Sequence, residues 1–313
     1  CRRLCECFHK DTDEKRLPVH FDIYINSIAP SRCSYSVSIK LEDKPVQNNF
    51  GFLEAYTSGE YWDYRKKRTG SVPPYYIEES DKAVLNILAE FYQNMAVFDI
   101  NPKSPSLFIG AGSFERIINL IEKCSYTIFF NRINLGRIIF LHENPDILID
   151  ISANDTEISL YAGSYGTAVV PNGSIFYYEN NIYITDKQWQ KWFMPIYNSL
   201  CADFRTQLSF TRDTAVDFAK YILPAIKGKP GVISHGLDES VVNTSPVFTI
   251  YLDSTPNYIS CVVKVTYGEL SFTLPINDEI DSKIVVRDKN AEEYILWQLS
   301  DFTYSDGKYI LSD

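Results

Sequence analysis

Residues 19–25, Val-His-Phe-Asp-Ile-Tyr-Ile, alternate between apolar and polar side chains, and residues 35–41, Tyr-Ser-Val-Ser-Ile-Lys-Leu, repeat this pattern after a turn that contains Pro30. A period of two places alternate side chains on the same face of a strand. The two runs therefore predict an antiparallel pair of strands with one buried face. After a Pro73-Pro74 break, Ser80-Asp81 precedes apolar residues at helical spacing, which predicts that a helix follows the pair.

The same order of elements recurs twice further along the chain. Residues 147–161 predict a second hairpin, residues 174–184 an extended strand, and Thr185-Asp186 the start of a helix. A third hairpin over residues 248–267 is again followed by a strand and a helix. The sequence therefore predicts an α+β fold dominated by antiparallel strands, with a quasi-repeated hairpin–strand–helix unit. The alternative, that amphipathic strands simply resemble one another, stays open.

The length of the chain limits the number of domains. A chain of 313 residues has room for two domains or three small ones. We predict three α+β subdomains: an N-terminal one over residues 1–97, a middle one over residues 98–229 and a C-terminal one over residues 230–313. The second boundary falls in the run Lys-Gly-Lys-Pro-Gly at residues 227–231, where Gly and Pro interrupt regular structure.

Composition excludes several classes of protein. The chain carries 40 acidic and 30 basic side chains, which gives a net charge of −10. This balance excludes a cationic protein that coats nucleic acid, a disordered chain and a collagen. No stretch approaches the roughly 18 consecutive apolar residues of a membrane span, so no membrane partner is predicted.

The chain start and the cysteines bear on the compartment. The first residues, Cys1-Arg2-Arg3-Leu4, have neither an initiator Met nor an apolar signal core, so we expect the chain to be a piece of a longer protein. Seven cysteines are too few and too unevenly spaced for a disulfide scaffold. The sequence therefore predicts a cytoplasmic protein with reduced thiols.

A search for catalytic motifs gives no catalytic residue. Gly110-Ala111-Gly112 lacks the Lys and the Ser or Thr of a phosphate-binding loop, and residues 278–281, Asp-Glu-Ile-Asp, are interpreted as a solvated acidic turn. The chain has no G-x-S-x-G elbow, no H-E-x-x-H helix and no pair of C-x-x-C motifs. None of its four histidines neighbours a Ser or Cys in a nucleophile-like setting. An enzyme whose residues converge from distant positions stays open as the last-ranked alternative.

The N-terminus offers thiolate and imidazole groups of the kind that bind zinc: Cys1, Cys5, Cys7 and His9. On a continuous helix, however, Cys5 and His9 share a face while Cys7 points elsewhere. This geometry favours a packed helix over a metal site. No metal ligand is predicted, and metal binding by the four residues stays an open alternative.

The strongest nucleic-acid signal is the run Tyr-Trp-Asp-Tyr-Arg-Lys-Lys-Arg at residues 61–68. Consecutive cations can neutralise phosphates, and flanking aromatic rings can stack on exposed bases. Residues 1–70 hold 12 basic and 10 acidic side chains, whereas residues 235–313 hold 5 basic and 13 acidic ones and should repel phosphates. A solvated hairpin loop is the alternative interpretation. The candidate nucleic-acid-binding residues are Trp62, Tyr64, Arg65, Lys66, Lys67 and Arg68.

The C-terminal segment 283–296, Lys-Ile-Val-Val-Arg-Asp-Lys-Asn-Ala-Glu-Glu-Tyr-Ile-Leu, joins an Arg-Asp pair to an acidic helix, and a Lys-Tyr-x-Leu strand follows at residues 308–311. Further stretches precede it in order: Tyr76–Lys82, Phe218–Pro224, Phe248–Asp253 and Val265–Gly268. This ordered set resembles the bacterial Swi/Snf-type (Snf-two family) helicase-associated domain. The likeness extends over nearly the whole chain, from about Leu17 to Asp313, and its motifs are structural rather than catalytic.

The resemblance implies a non-catalytic accessory region that lies N-terminal to the motor of a bacterial Swi/Snf-family DNA-dependent ATPase, an ATP-dependent DNA translocase or helicase. It implies that the region positions or regulates this motor, its partner in the same polypeptide, and contacts DNA. It implies no cofactor in this chain, but ATP with Mg and a zinc-binding SWIM motif elsewhere in the parent protein. Activation and inhibition of the motor both stay open.

The conspicuous side chains of these motifs are expected to be structural. Arg287 and Asp288 would form a buried or capped ion pair that orients the following helix. Tyr251, Leu252 and Tyr267 would contribute to the core.

An alternative of a different class is a stand-alone module that binds carbohydrate or peptide, as the Tyr- and Trp-rich strands suggest. Trp189, Trp192 and Trp297 lie at helical core spacing, which favours packing over a sugar platform. Trp62 is the exception, because it does not lie at helical core spacing.

Overall fold

A computed structural model describes residues 15–29, 32–59, 61–63, 68–70, 75–95, 106–202, 204–211, 213–255, 257–276 and 283–312. Its helices are α1 (Asn49–Thr57), α2 (Glu79–Met95), α3 (Ala111–Ile121), α4 (Lys187–Ala202), α5 (Asp213–Asp217), α6 (Leu223–Ile226), α7 (Leu237–Ser240) and α8 (Lys289–Gln298). Its strands are β1 (Lys15–Arg16), β2 (Val19–Ala29), β3 (Arg32–Leu41), β4 (Lys44–Pro45), β5 (Tyr61–Asp63), β6 (Arg68–Gly70), β7 (Tyr75–Tyr76), β8 (Leu107–Ile109), β9 (Ser125–Phe130), β10 (Ile133–Gly136), β11 (Ile149–Ala153), β12 (Glu157–Tyr161), β13 (Thr167–Ala168), β14 (Ile175–Tyr178), β15 (Asn181–Ile184), β16 (Gln207–Thr211), β17 (Val232–His235), β18 (Val241–Val242), β19 (Val247–Thr255), β20 (Tyr258–Tyr267), β21 (Leu270–Thr273), β22 (Ile284–Val285), β23 (Thr303–Ser305) and β24 (Lys308–Ser312). The mixture of helices and mainly antiparallel sheets confirms the predicted α+β class.

The chain forms two compact units. Unit 1 contains the described residues up to Pro145 together with Gly166–Cys201, and unit 2 contains Asp146–Tyr165 together with the described residues from Ala202 onward. The division into three subdomains, residues 1–97, 98–229 and 230–313, stays a prediction.

Unit 1 is built on the first predicted hairpin. Its main sheet runs in the order β10-β9-β2-β3-β4, with β8 also paired to β3. Because side chains alternate along a strand, one face of β2 is fully buried through Phe21, Ile23 and Ile25. Helices α1, α2 and α3 contribute buried apolar side chains to the same core.

A second sheet of unit 1, β13-β14-β15, precedes α4. The prediction of one extended strand over residues 174–184 is wrong, because Glu179 and Asn180 have φ angles of 48° and 62° and turn the chain back as the hairpin β14–β15. Two successive left-handed residues form the tight turn whose twist matches that of the flanking strands. The hairpin brings Phe176 over the aromatic side chains of α4.

Unit 2 is built on the other two predicted hairpins. The hairpin β11–β12 belongs to a sheet of order β16-β12-β11-β17, and β19–β20 belongs to a sheet of order β19-β20-β24-β23, with β21 also on β20. The β19–β20 register runs without a break over nine residue pairs. The buried core beside β20 contains Cys261, Val263, Val265 and Tyr267.

The recurring order of elements is present three times in the structure. The first and third copies begin with a short strand, and the second begins at the isolated bridge residue Leu141. Each copy continues through a hairpin and returns with a strand that pairs parallel to the start of the copy just before a helix. The parallel pairs are β1 with β7 before α2, Leu141 with Tyr183 before α4, and β18 with β22 before α8. In the second and third copies, an Asp three residues after the paired strand residue caps the helix: Asp186 Oδ1 accepts from the Trp189 N–H at 2.8 Å, and Asp288 Oδ1 accepts from the Ala291 N–H at 3.0 Å.

The helix predicted from Thr214 towards Pro224 contains a π-helical turn, Phe218–Ile222, between α5 and α6. Pro224 explains this turn. Its ring would clash with the carbonyl four residues earlier in a regular α-helix, and the preceding residue, Leu223, donates its N–H to the more distant Phe218 carbonyl.

None of the described helices combines the length and the apolar character that a membrane crossing requires.

Candidate functional site

The Arg-Asp pair of the C-terminal motif lies between β22 and α8, where Arg287 contacts a helical carboxylate. The Arg287 Nε and Nη2 atoms lie 3.0 and 2.5 Å from the two carboxylate oxygens of Glu292. The Tyr267 hydroxyl, at the end of β20, donates to Glu292 Oε1 at 2.7 Å and accepts the N–H of Asp288 at 2.9 Å. The Asp288 carboxylate is used as the cap of α8.

The centre of this network, Tyr267 and Glu292, is buried, and its polar groups bond to one another. Tyr267 is fully buried and Glu292 nearly so. Burial, reinforced by the hydrogen bond to Glu292, raises the pKa of Tyr267 above its ordinary value, so the phenol stays protonated and keeps donating. The hydrogen bond to Glu292 raises the pKa of Arg287. Each polar group is bound to another group of the network, and this arrangement fixes the direction in which α8 leaves the sheet.

The partner of Arg287 differs from the expected one. Arg287 pairs with Glu292, while the neighbouring Asp288 caps the helix, so the two residues do not pair with each other. The two tasks diverge because the helix N-terminus needs an acceptor and Asp288 occupies the capping position. Sequence analysis included Glu292 and Tyr267 in the motif but gave neither of them this role.

The basic run is only partly described. Strands β5 and β6 pair antiparallel, with Trp62 opposite Thr69 and Asp63 opposite Arg68. A hairpin therefore carries the run, and its connecting residues Tyr64, Arg65, Lys66 and Lys67 lie outside the described residues. DNA binding by these residues stays a prediction.

Two other candidates from the sequence lie outside the described residues: the cluster Cys1, Cys5, Cys7 and His9, and the acidic run at residues 278–281. Within the described ranges, no group of three or more His, Cys, Asp or Glu side chains is arranged to hold a metal ion. Gly110 precedes the first turn of α3, and no Lys follows it in that turn, so a phosphate-binding loop does not fit there.

A polar cluster that sequence analysis missed links three strands of unit 1. His20 Nδ1 lies 2.8 Å from Ser125 Oγ, and His20 Nε2 lies 3.0 Å from Thr127 Oγ1 and 3.3 Å from Asp22 Oδ1. The other Asp22 oxygen forms an ion pair with Lys40 Nζ at 2.6 Å. These side chains stand on adjacent strands β9, β2 and β3, and Lys40 already neutralises the carboxylate that would support an imidazolium. The cluster therefore joins the strands rather than forming a nucleophile.

A buried carboxyl group lies in the first turn of α2. Asp81 is almost fully buried, and its Oδ2 atom has no hydrogen-bond partner. Burial raises the pKa of Asp81, and burial together with the charge of Asp81 raises the pKa of the neighbouring Cys124 to about 12. The Cys124 thiol donates to the Ser80 carbonyl at 3.3 Å. The desolvated carboxylate is thus a cost to folding once it ionises.

Replacing Asp81 with Asn is expected to remove a loss of stability that accompanies rising pH. Because the folded-state pKa is raised, the contribution of this carboxyl is fully present below its unfolded pKa and is lost as the pH rises through the folded value. Asn stays neutral throughout. Urea denaturation between about pH 4 and pH 8 should show that the free energy of unfolding of the variant increases relative to that of the wild type as the pH rises. Exposed Asp43→Asn is the control; equal pH profiles for Asp81→Asn and the wild type would contradict the prediction.

Several aromatic and apolar side chains differ from their expected burial. Tyr267 and Trp189 are buried as predicted, and Trp192 packs against Trp189 and Phe193. The predicted core positions of Tyr251 and Leu252 on β19, and of Trp297 on α8, are wrong. All three side chains are exposed, with Trp297 at 68%.

The chain is an α+β protein whose best-defined polar network joins a strand to a helix. The family described as "Bacterial SNF2 helicase associated" matches residues 106–313. Because this match spans more than half of the chain, the chain belongs to that family, which confirms the resemblance. The predicted extension of the likeness from residue 105 back to Leu17 stays a prediction. No curated protein and no solved structure gives a significant match to the chain.

Proposed function

We propose that the chain is a non-catalytic accessory region of a bacterial Swi/Snf-family ATP-dependent DNA translocase, in which it positions or regulates the motor of the same polypeptide. The observation that carries this proposal is the family match over residues 106–313. The polar network around Glu292 supports it, because the network orients α8 and leaves no group free for chemistry. The parent protein would bind ATP with Mg in its motor, carry a zinc-binding SWIM motif and act in the cytoplasm.

Contact with DNA is assigned to the β5–β6 hairpin. Trp62 lies on β5 and Arg68 on β6, and Tyr64, Arg65, Lys66 and Lys67 lie between these two strands in the sequence. Four adjacent cations can displace counterions from a phosphate backbone, and the aromatic rings suit unpaired bases. The acidic C-terminal residues 235–313, with 13 acidic and 5 basic side chains, would repel a phosphate backbone.

The accessory role is tested with the parent protein. Full-length parent and a version that lacks residues 1–313 are compared for DNA-stimulated ATP hydrolysis, and the isolated chain is assayed for turnover. We expect no turnover by the isolated chain and a changed DNA-stimulated rate when it is removed. ATP turnover by the chain that a single substitution abolishes, or an unchanged rate without the chain, would contradict the proposal.

The DNA contact is tested by replacing Arg65, Lys66, Lys67 and Arg68 together with Ala. Each cation that meets a phosphate contributes about one to the slope of log affinity against log salt, so the slope should fall by up to about four. A low-salt mobility-shift series with single-stranded and duplex DNA measures it. The matched control removes four exposed lysines elsewhere: Lys187, Lys191, Lys220 and Lys229. Equal losses in the two variants, or no binding by the wild type, would remove the hairpin as the DNA contact.

A further inference from the structure

The strand β19 of unit 2 is an open edge of its sheet. Among the described strands it pairs with β20 alone, over nine residue pairs without a bulge. Eight of its nine residues are exposed, and only Phe248 is partly buried. It contains no Lys, Arg or Pro, and Asp253 is its one charged residue. Because charged residues, Pro and bulges are the usual devices that block a further strand, this edge can pair with another chain.

One face of β19 carries an apolar row that is largely open to solvent. Ile250 lies opposite Val263, and Leu252 lies opposite Cys261. Both of these β20 side chains are almost fully buried. Opposite residues of an antiparallel pair share a face, yet Ile250 is 48% exposed and Leu252 73% exposed. An apolar row beside an unpaired strand edge marks an interaction surface.

The other face of β19 and β20 carries two charges that do not meet within one chain. Asp253 lies opposite Ser260. Lys264 lies opposite Thr249, four residues away along the strand pair, which is a separation of about 14 Å. The Lys264 side chain extends toward the edge, with its Nζ atom 5.5 Å from the centre of the Tyr251 ring. A strand that pairs with β19 therefore meets an acidic and a basic group at separate places along the edge.

A second copy of β19 fits the apolar row when the two strands pair antiparallel about Tyr251. Tyr251 is the middle residue of the strand, so all nine residues pair in this register. Ile250 of each copy then lies opposite Leu252 of the other copy, because two-fold symmetry places partners at equal distances from the centre. Each of these exposed side chains thus gains an apolar neighbour.

The same register brings the charges of the other face together. Thr249 of one copy lies opposite Asp253 of the second copy, so this carboxylate falls in the row of Lys264, two strands away. Neighbouring strands are about 4.8 Å apart, so the distance of about 10 Å is within the combined reach of a Lys and an Asp side chain. A centre at Ile250 or Leu252 instead would move the carboxylate two residues out of this row. Charge complementarity therefore selects the register in which the whole strand pairs.

We propose that the chain self-associates through β19, which pairs antiparallel with β19 of a second copy about Tyr251. The pairing joins two sheets into one, covers Ile250 and Leu252, and forms two ion pairs between Lys264 and Asp253 of opposite copies. A segment of uniformly acidic or basic character would satisfy one of these charges and oppose the other, whereas a second copy satisfies both. The inference concerns unit 2 alone and goes beyond the proposed accessory role.

Sedimentation velocity of the full 313-residue chain tests the association from about 1 to about 200 μM, because a contact of this limited size is expected to be weak. The wild type should change from monomer to dimer across this range. Leu252→Lys should weaken the dimer at least about tenfold, because apolar contact is lost and two added cations lie near the two-fold axis. Ile139→Lys, which adds the same charge at an exposed Ile of unit 1, should leave the association unchanged.

Charge reversal tests the register. In Asp253→Lys two cations face each other across the pair, and in Lys264→Asp two carboxylates do, so each variant alone should dimerise at least about tenfold more weakly than the wild type. An equimolar mixture of the two variants should form a mixed dimer, because both contacts then join opposite charges. Circular dichroism confirms that each variant folds, and recovery in the mixture separates loss of the contact from loss of the fold.

Four results would overturn the proposal. They are a wild type that stays monomeric over the whole range, equal association of Leu252→Lys and the wild type, equal association of either charge-reversal variant and the wild type, and a mixture that associates no better than its components. A monomeric wild type would leave the edge to a segment of another protein.

Discussion

Replacing Glu292 with Gln is expected to lower the free energy of unfolding of unit 2 by about 3 kcal/mol. Removing one partner of a buried ion pair leaves the other charge without compensation, which typically costs about 3–5 kcal/mol. The lower end applies because Arg287 keeps some solvent contact, whereas Glu292 is almost fully buried. Gln preserves the size of the side chain, so the change isolates the charge.

The same substitution also weakens the hydrogen-bonded contact between β20 and α8. Glu292 is the acceptor that joins the Tyr267 hydroxyl to the Arg287 guanidinium, and Asp288 depends on Tyr267 for its backbone N–H. The carboxylate accepts three hydrogen bonds, one from Tyr267 and two from Arg287, and its loss affects all three. Helix α8 should open before the rest of unit 2.

Glu293 supplies the matched control, because it is exposed on the adjacent position of the same helix. Glu293→Gln should change the stability by no more than about 0.5 kcal/mol. Urea denaturation gives the total loss, and hydrogen exchange over residues 289–298 reports whether α8 carries it. A loss no larger for Glu292→Gln than for Glu293→Gln would contradict the structural role of the network.

The sequence could predict the hairpins and helices because their signals are local. Alternation of period two identified β2, β3, β19 and β20, and helical spacing identified α2, α4 and α8. The same alternation assigns each side chain to a face but does not show whether another element covers that face. The pattern therefore predicts core positions for Tyr251 and Leu252, which are exposed, as well as for Tyr267, which is buried.

The site could be predicted only where neighbours in sequence are neighbours in space. The Arg287-Asp288 pair stood out, yet its true connections reach along the helix to Glu292 and across the sheet to Tyr267. The contact between His20 and Ser125 likewise arises from parallel pairing of β2 with β9, which no local pattern encodes. Long-range partners of this kind depend on topology, and topology follows from packing of the whole unit.

Replacing Phe176 with Ala is expected to lower the free energy of unfolding of unit 1 by about 3–5 kcal/mol, the usual cost of emptying a fully buried aromatic position. Phe176 is fully buried on β14, and its ring meets Trp189, Phe193 and Tyr197 of α4 edge-on at centroid distances of 5.3 to 5.8 Å. Edge-to-face contacts of this kind add to the stabilisation from burial. A cavity at this position therefore loosens the whole contact between the hairpin and α4.

The control for this change is Phe108→Ala, which deletes the same side chain at a position of unit 1 that is 65% exposed. Its effect should stay within about 0.5 kcal/mol, since little apolar surface is buried there. Urea midpoints of both variants measure the difference, and near-ultraviolet circular dichroism should show loss of aromatic packing in Phe176→Ala alone. Because both variants remove identical atoms, equal midpoints would mean that the aromatic cluster contributes no more than an exposed ring, and the assignment of this cluster as the core between β14 and α4 would fail.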